Sequence, residues 1–259
     1  MWTLDHDPRL PLWRTVGDLP GARLAFTTRR GGGSAPPYDS LNLGRSTDDD
    51  PGAVAGNRAR VLAALGLPAT ALATAGQVHG PRVVEAVAPG HHAECDALVT
   101  TRPGLALAVT TADCMSLLYA APGAVAAAHA GWRGTAAGMP GAALAAVCAA
   151  AGCGPGDVSV HIGPCIRGCC YEVGDEVARR FPSSALRPVD GRQRLDLPTV
   201  AREALRAAGV PDPAIHDTGA CTMCEPAWYF SHRRDAGRTG RLWGVAVRLP
   251  AGANTSGAV

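Results

Sequence analysis

Three short segments of the chain place an imidazole or a thiol where a predicted strand gives way to a loop. His79 lies in a turn at residues 77–80, Cys114 follows an apolar run, and His129 begins a glycine-rich stretch after another such run. Strand ends hold side chains firmly and leave them open to solvent, so functional groups are often found there. We therefore take these three residues as candidates for chemistry.

Two imidazoles and one thiolate form a ligand set that Zn²⁺ accepts. Three protein ligands with a vacant fourth position are typical of a catalytic zinc, whereas structural zinc sites are closed by four ligands. His79, Cys114 and His129 are far apart in the sequence and include no close C-x-x-C or H-x-x-x-H pair. Spacing alone therefore also fits hydrogen-bonded core histidines and a buried thiol.

A second group of thiols offers a rival metal site. Cys221 and Cys224 form a C-x-x-C pair, and Cys165 and Cys169 lie upstream. Four thiolates would be typical of a closed, structural zinc site. Because the upstream pair lacks the usual close spacing, the set of His79, Cys114 and His129 is the preferred metal centre.

The segment after His129 indicates an anion site. It reads G-W-R-G-T at 131–135 and precedes a predicted helix. Free backbone N–H groups and the positive end of a helix dipole favour phosphate or carboxylate at a helix start, and Arg133 would add a bidentate contact. Without a metal ligand beside it, the same pattern is an ordinary glycine-rich turn with an exposed arginine.

Composition excludes several kinds of chemistry. All 24 basic residues are arginine, which rules out a Schiff-base lysine, a pyridoxal-phosphate lysine and a Walker-type phosphate lysine. Any phosphate must therefore be held by arginine. The net charge is only +2, and the basic residues occur in scattered pairs rather than in a stripe, which argues against a nucleic-acid partner.

No targeting or membrane segment is visible in the sequence. The N-terminus lacks a basic segment followed by an apolar run, and the longest small-apolar stretch, residues 138–154, is too short and too weakly apolar to span a membrane. Nine cysteines without a signal peptide indicate reduced thiols. We expect a cytoplasmic protein without a membrane partner, and the sequence leaves its oligomeric state open.

The elements that position these residues alternate irregularly between strands and helices. We predict an α+β fold, a single domain of mixed sheets flanked by helices over residues 1–250, with a flexible tail at 251–259. Helices are predicted at 54–65, at 198–208 and somewhere within 135–151, where Pro140 obscures the start. Buried strands are predicted at 22–27, 83–88, 105–110, 117–120, 125–128, 158–162 and 242–248.

Two specific motifs contain candidate ligands: H-A-G-W-R-G at 129–134 follows T-A-D-C at 111–114. Further motifs along residues 22–247 are T-T-R at 27–29, G-G at 31–32, Ser34, Y-D-S-L-N-L-G at 38–44, Q-V-H at 77–79, D-A-L-V-T at 96–100, I-G-P-C-I at 162–166, C-Y-E-V-G at 170–174, C-T at 221–222, F-S-H-R-R-D at 230–235 and T-G-R at 239–241. Together these motifs resemble the YfiH-like laccase-domain family. The resemblance implies purine nucleoside phosphorylase activity, with adenosine deaminase and methylthioadenosine phosphorylase side activities, and a catalytic zinc on His79, Cys114 and His129.

With that activity, further residues acquire expected roles. Deamination of a purine needs a carboxylate that moves protons beside the activated water, and Asp113 and Glu172 are the candidates. Phosphorolysis needs cations for phosphate, for which we expect Arg133 and Arg29. The remaining candidate substrate ligands are Asn42 and Gln77, which would hydrogen-bond the ribose or the base of a purine nucleoside.

Three alternatives remain open at the level of sequence. Cys114 could be a thiolate nucleophile activated by histidine, as in a Cys-His amidohydrolase or deamidase. A copper polyphenol oxidase would use the same His₂Cys set, although eight histidines without an H-x-H pair are few for a multicopper cluster. A non-enzymatic, partner-binding scaffold is the third alternative.

Overall fold

Two large mixed sheets, stacked face to face, form the centre of the molecule. The computed structural model describes residues 2–5, 7–15, 19 and 21–250, and the predicted flexible tail at 251–259 lies outside the described residues. In chain order the strands are β1 Trp2–Leu4, β2 Leu12–Thr15, β3 Ala22–Thr27, β4 Leu72–Ala75, β5 Val83–Glu85, β6 Gly90–His92, β7 Ala97–Thr100, β8 Ala106–Thr111, β9 Met115–Ala121, β10 Ala124–Ala130, β11 Ser159–Ile162, β12 Glu172–Val173, β13 Leu186–Val189, β14 Arg192–Leu195, β15 Ile215–Asp217 and β16 Leu242–Arg248.

Helices cover the outer faces of these sheets. Two of the longer ones begin where an aspartate caps the first turn: Asp50 accepts a hydrogen bond from the backbone N–H of Ala53 at 2.7 Å, and Asp196 accepts one from Thr199 at 3.2 Å. The helices are α1 Pro51–Ala64, α2 Trp132–Ala136, α3 Met139–Ala151, α4 Asp175–Ala178 and α5 Leu197–Ala207, with single 3₁₀ turns at Pro155–Asp157, Ser183–Ala185 and Asp212–Ala214.

Both large sheets combine antiparallel and parallel pairs. The seven-stranded sheet has the order β1-β2-β3-β16-β8-β4-β6, and the six-stranded sheet has the order β15-β11-β9-β10-β7-β5. In the first, β4 runs parallel to β8 and to β6; in the second, β5 is parallel to β7 and β11 to β15. A small antiparallel sheet, β12-β14-β13, lies apart from them.

Alternation of side chains along the strands builds the core in layers. Leu107 and Val109 of β8 share one buried cluster with Leu118 of β9 and Val125 of β10, so the two sheets pack against each other there. The outer face of each sheet is covered by helices, which gives the order helix, sheet, sheet, helix. The seven-stranded sheet packs against α1 through Ala106, Ala108, Val245, Val61 and Leu62, and the six-stranded sheet packs against α3 and α5 through Leu117, Tyr119, Leu144, Val147 and Leu205.

The predicted α+β class with mixed sheets and flanking helices is confirmed. The predicted strands 22–27 and 242–248 coincide with β3 and β16, while 83–88 is shorter than predicted because β5 ends at Glu85. The helix predicted within 135–151 is α3, which begins at Met139 with Pro140 in its first turn, and the separate short helix α2, which ends at Ala136, was not predicted from the sequence. Proline is accommodated at the start of α3 because the first-turn N–H groups have no partner within the helix.

No helix among residues 2–5, 7–15, 19 and 21–250 combines the length and apolar character that a membrane crossing requires.

Candidate metal centre

His79, Cys114 and His129 converge on one point. One ligand atom of each residue lies within 4.8 Å of the ligand atoms of the other two. The two imidazole rings meet edge to face, with centroids 4.8 Å apart and planes at 88°. His129 is buried, Cys114 is half-buried and His79 is exposed, so the centre opens to solvent on the side of His79.

Strand direction explains this convergence. Because β4 and β8 are parallel, their carboxyl ends lie at the same edge, and the chain leaves both ends to cross from the seven-stranded sheet to the six-stranded one. The first crossing carries His79 and the second carries Cys114. His129 pairs with Ser116 in the β10–β9 ladder, which places it beside the start of β9 and hence beside Cys114.

Backbone conformation at both crossings is unusual. Gln77, His79 and Asp113 have φ values of 61°, 65° and 89°, in the left-handed region that residues with a side chain seldom adopt. Such conformations persist where the surrounding contacts enforce them, and they are concentrated at functional sites.

The carboxylate of Asp96 enforces this conformation around His79. Asp96 is fully buried just before β7 and accepts hydrogen bonds from the backbone N–H groups of Val78, His79 and Gly80 at 3.0, 2.8 and 2.8 Å. Its Oδ1 also lies 2.8 Å from Nδ1 of His129. That contact leaves Nε2 of His129 as the ligand atom, the arrangement in which a carboxylate fixes the ring of a metal-binding histidine.

Charges at the centre reinforce one another. Burial opposes ionisation of Asp96, but the hydrogen bonds from His129 and from the loop backbone outweigh it and lower the pKa of Asp96. Burial likewise opposes the thiolate of Cys114, yet His129 and His79 lower the pKa of Cys114 to about 6. In turn, Cys114 and Asp96 overcome burial and raise the pKa of His129 to about 9. At neutral pH without metal, these shifts make Cys114 a thiolate that is paired with the protonated His129.

Gly131 leaves room for the three ligands. A Cβ atom at this position would lie 2.9 Å from Sγ of Cys114 and 3.4 Å from Cδ2 of His79, closer than side chains normally approach. Its φ of −75° is open to any residue, so the requirement for glycine is one of space. A small pocket bounded by thiolate and imidazole fits a metal that prefers sulfur and nitrogen ligands.

Tyr171 and three arginines surround this centre. Burial raises the pKa of Tyr171 to about 12, and its hydroxyl lies in the field of Cys114, Arg233, Asp113 and Arg133. The guanidinium of Arg233 stacks 5.3 Å from the centroid of the Tyr171 ring, and that of exposed Arg133 lies 4.4 Å from the Trp132 ring. Arg241 is half-buried, and burial lowers its pKa against the opposing influence of Cys114 and Asp113.

Asp113, a predicted catalytic residue, has both carboxylate oxygens engaged. Oδ1 accepts a hydrogen bond from the hydroxyl of Thr222 and Oδ2 accepts one from the backbone N–H of Arg233, each at 2.7 Å. Its carbonyl accepts a hydrogen bond from the N–H of Ile166 at 2.9 Å. Asp113 thus joins three loops next to Cys114.

Glu172, the other predicted proton carrier, is turned toward the small sheet. Its carboxylate lies 2.6 Å from the guanidinium of Arg192, and its side chain is 42% exposed. Since successive side chains of an extended chain point to opposite sides, Tyr171 faces the centre and Glu172 faces away from it. Glu172 is thus not brought together with the three metal ligands.

The predicted substrate ligands Gln77 and Asn42 are occupied by neighbouring groups. The Gln77 side chain donates to the carbonyl of Thr110 at 2.7 Å and accepts from its N–H at 2.8 Å, which extends the β4–β8 ladder by one step. Asn42 is fully buried, donates to Thr47 at 2.8 Å, and accepts from the N–H of Arg241 at 2.8 Å.

Arg29, the predicted phosphate ligand in the glycine-rich loop, braces that loop. Its guanidinium donates to the carbonyls of Asp39 and Pro226 at 2.8 and 3.0 Å and stacks 4.7 Å from the Phe230 ring. Of the predicted phosphate ligands, Arg133 is therefore the one that the structure brings toward Tyr171.

Sequence reasoning missed Asp96, Tyr171 and Arg241 as functional residues. Each lies inside a motif of the family resemblance, in D-A-L-V-T, C-Y-E-V-G and T-G-R respectively. An acid directly before a buried strand is a usable signal, because a carboxylate at that depth needs partners. Which histidine it would meet depends on strand register, which the sequence does not state.

Comparisons with known proteins agree with this architecture. A family model described as multi-copper polyphenol oxidoreductase laccase matches residues 23–249. A purine nucleoside phosphorylase of Deinococcus radiodurans is 46% identical over 251 residues, which cover 94% of this chain and 94% of that protein. The purine nucleoside phosphorylase YlmD of Geobacillus stearothermophilus is 38% identical over 252 residues, covering 89% of this chain and 92% of that protein.

Solved structures show the same fold. The hypothetical protein YfiH of Bacillus licheniformis superposes with a TM-score of 0.88 at 33% identity, covering 96% of this chain and 99% of that one. YlmD of Geobacillus stearothermophilus superposes with a TM-score of 0.88 at 36% identity, covering 95% and 99%. This chain therefore belongs to the multi-copper polyphenol oxidoreductase laccase family, the YfiH-like laccase-domain family that its motifs resemble.

Proposed function

We propose that this chain is a zinc-dependent purine nucleoside phosphorylase that converts a nucleoside and phosphate to the free purine and ribose-1-phosphate. It would also deaminate adenosine and cleave S-methyl-5'-thioadenosine. The observation that carries the proposal is the convergence of His79, Cys114 and His129 within 4.8 Å. The names of the relatives from Deinococcus and Geobacillus, both purine nucleoside phosphorylases, support the substrate class.

Zinc is the metal we propose for this centre. His79, Cys114 and His129 would hold it, and when bound it would act as a Lewis acid and bring the pKa of a water to about 7. A set of three ligands with an exposed side is the arrangement of catalytic zinc. Among the described residues, the cluster of His79, Cys114 and His129 is the one possible metal site that contains histidine, and it has two histidines. A multicopper oxidase would need several such clusters, so we favour zinc over copper.

Arginines near Tyr171 supply the charge that phosphate requires. Arg133 is exposed beside the Trp132 ring, and Arg233 has one guanidinium nitrogen on the carbonyl of Glu172 at 2.9 Å, with the rest of its fork exposed. Arg241, which is half-buried, adds further positive charge within the electrostatic influence of Cys114. In this proposal Arg133 holds phosphate against the ribose, while the Tyr171 hydroxyl donates to substrate.

In this proposal Arg29, Asn42 and Gln77 support the loops around the centre and do not bind substrate directly. Arg29 donates to loop carbonyls and Gln77 binds the backbone of Thr110 in β8. Asn42 binds the Thr47 side chain and the N–H of Arg241. Each therefore fixes a loop near the centre. Substitution of Gln77 would break its hydrogen bonds to the backbone of Thr110. We expect this to displace the loop that carries His79, rather than to remove a hydrogen bond to the purine base.

Deamination needs a proton carrier as water adds at C6 of adenosine and ammonia leaves. Asp113 is a positioning residue in this proposal, because both of its oxygens accept hydrogen bonds from the surrounding loops. Glu172 would have to leave Arg192 to reach the substrate. A Glu172→Gln variant that deaminates adenosine at the wild-type rate would remove Glu172 from the reaction.

Product analysis tests the proposal. Incubation with inosine and phosphate should release hypoxanthine and ribose-1-phosphate, with no product when phosphate is omitted. Cys114→Ala should reduce this release to the background of the assay, while Cys153→Ala, outside the centre, should leave it unchanged. Release of equal amounts of hypoxanthine by wild type and Cys114→Ala would overturn the assignment.

Loss of activity on chelation separates the metal mechanism from the Cys-His nucleophile alternative. Both schemes fail when Cys114 is removed, but a thiolate nucleophile needs no metal. The zinc mechanism predicts that a chelator abolishes turnover and that added Zn²⁺ restores it.

A further inference from the structure

Four cysteines outside the candidate metal centre form a second cluster of thiols. Cys169, Cys170, Cys221 and Cys224, here called the tetrathiol cluster, have their sulfur atoms within 4.8 Å of one another. The sulfur of Cys169 lies 3.6 Å from that of Cys221 and 3.5 Å from that of Cys224, and Cys170 lies 3.2 Å from Cys224.

We propose that the tetrathiol cluster binds one Zn²⁺ as a closed, structural site, separate from the proposed catalytic zinc. Tetrahedral zinc with Zn–S bonds of about 2.3 Å requires sulfur atoms roughly 3.8 Å apart. The three sulfur–sulfur distances of 3.6, 3.5 and 3.2 Å need only a small expansion to reach that spacing. Four thiolates fill all four positions, so this zinc would hold no substrate.

Hydrogen bonds between Cys221 and Glu225 fold the loop that carries Cys221 and Cys224 back on itself. The N–H of Cys221 donates to the carboxylate of Glu225 at 3.1 Å, and the N–H of Glu225 donates back to the Cys221 carbonyl at 3.2 Å. Cys221 is the buried member of the cluster.

The loop that carries Cys169 and Cys170 is also held by backbone hydrogen bonds. The N–H groups of Cys170 and Tyr171 both donate to the carbonyl of Arg167 at 2.8 Å, which turns the chain back on itself and brings Cys169 and Cys170 to the same side. The prediction from sequence groups Cys165 with Cys169 in this set, and the structure corrects that choice. Cys165 is fully buried and joins Cys221 only through a backbone bridge, so Cys170 takes its place.

Charge and accessibility also fit a metal. Cys169 and Cys224 are exposed, so Zn²⁺ has access to the cluster and the four thiol protons can leave to solvent on binding. The bound state would carry two net negative charges. Arginines lie nearby to offset them, since Arg194 donates to the carbonyl of Cys169 and Arg234 to that of Thr222, the latter at 2.9 Å.

This site would fasten two loops that reach the candidate metal centre. Tyr171 follows Cys170 directly, and Thr222, next to Cys221, donates its hydroxyl to Asp113 at 2.7 Å. Zinc bound by the tetrathiol cluster would therefore hold Tyr171 and Asp113 in place without touching the substrate.

Zinc content of purified variants tests the proposal. Protein purified with a thiol reductant should carry about two Zn²⁺ per chain, and Cys114→Ser should retain about one. The triple variant Cys114→Ser/Cys169→Ser/Cys224→Ser should retain almost none, whereas Cys114→Ser/Cys153→Ser, a matched thiol removal outside both clusters, should still retain about one. Because these counts need no substrate, they stand whether or not the nucleoside activity is found.

A second measurement guards against misfolding of the triple variant. Metal-free Cys114→Ser protein should gain thiolate-to-cobalt charge-transfer absorption when Co²⁺ is added. Zn²⁺ should then protect Cys169, Cys170, Cys221 and Cys224 from alkylation, as read by mass spectrometry. The proposal is overturned if Cys114→Ser, equilibrated with Zn²⁺, binds none above the triple variant. It is equally overturned if Cys170 and Cys224 are found joined as a disulfide in the reduced preparation.

Discussion

Asp96 connects the ligands of the candidate metal centre at the level of single residues. It holds three successive N–H groups of the His79 loop and the Nδ1 atom of His129, and it is fully buried. A buried carboxylate stays ionised only with such partners. The orientation of both histidines therefore depends on one side chain that need not touch metal or substrate.

Replacement of Asp96 by asparagine should weaken metal binding. The amide keeps the size of the side chain but cannot accept from all four partners, and it removes the negative charge behind His129. We expect zinc affinity at the centre to fall by about 10- to 100-fold, measured by competition with a chromogenic chelator, and excess Zn²⁺ to restore part of the activity. The exposed substitution Asp50→Asn is the control. Unchanged affinity in Asp96→Asn would show that Asp96 serves only the loop.

A substitution at Gly131 tests whether the metal centre needs the space that a missing side chain leaves. Gly131→Ala places a Cβ atom 2.9 Å from the Cys114 sulfur, and overpacking of this kind costs about 1–3 kcal/mol. We expect lower zinc affinity and lower turnover, with the circular dichroism spectrum unchanged.

Gly141→Ala is the matched control for this substitution. A Cβ at Gly141 meets nothing within 4 Å, and alanine is more favourable than glycine within a helix, so this variant should be as active as wild type and at least as stable. Equal loss in both alanine variants would contradict the steric account.

Arg133 is the residue through which phosphate binding can be separated from deamination. Arg133→Ala should raise KM for phosphate in inosine phosphorolysis by about ten-fold, the equivalent of about 1.4 kcal/mol, with a smaller effect on adenosine deamination, which uses no phosphate. Arg187→Ala, exposed on β13, should change neither. If Arg133→Ala lowers both activities equally, Arg133 supports the fold of the centre instead.

The three metal ligands are the part of the centre that the sequence predicts best. His79, Cys114 and His129 were selected because Zn²⁺ accepts these side chains, and the structure places them together. Asn42 and Gln77 are candidates as hydrogen-bonding types and Arg29 as a cation for phosphate, but their side chains bind Thr47, Thr110 and Asp39 respectively. Such partners depend on tertiary contacts, which a residue type does not reveal.

At the scale of elements, strand register brings the centre together. The β4–β8 pair aligns the ends of two strands that are distant in the sequence, and the β9–β10 hairpin brings His129 back beside the start of β9. Long apolar runs such as β3 and β16 could be predicted because their composition alone favours a buried strand. Short strands could not: β6, at Gly90–His92, is largely exposed and owes its conformation to pairing with β4.

The histidine ladder between β11 and β15 gives an element-scale prediction on pH. His161 is buried, pairs with His216 in register, and stacks on its ring at 4.8 Å. Burial and the nearby His216 lower the pKa of His161 to about 3. An unfolded histidine has a pKa of about 6.5, so below that pH the unfolded chain binds a proton that the native state excludes, and stability falls as the pH decreases toward 3.

His161→Phe should remove this part of the acid sensitivity. Between pH 6.5 and 4.5 the free energy of unfolding should decrease less steeply than in wild type, by up to about 1.4 kcal/mol per pH unit. Urea titrations at several pH values measure the slope. The exposed variant His232→Phe should keep the wild-type slope, and an unchanged slope in His161→Phe would contradict the prediction.

For the whole molecule, the order helix, sheet, sheet, helix decides where the centre lies. Both large sheets are packed on two faces, so functional groups are confined to their edges and loops. Fold class followed from the mixture of apolar runs and amphipathic segments. The order in which the strands pair could not be predicted in this way. Neighbouring strands such as β3 and β16 are separated by most of the chain, and hydrophobic patterning does not encode which strands pair.

The rate of inosine phosphorolysis during metal removal and return is the most direct test of the central claim. Wild-type protein stripped by a chelator should release no hypoxanthine, and stepwise addition of Zn²⁺ should restore the full rate in wild type but not in Cys114→Ala. Turnover by the stripped protein at the rate of the untreated enzyme would show that His79, Cys114 and His129 do not act through a metal.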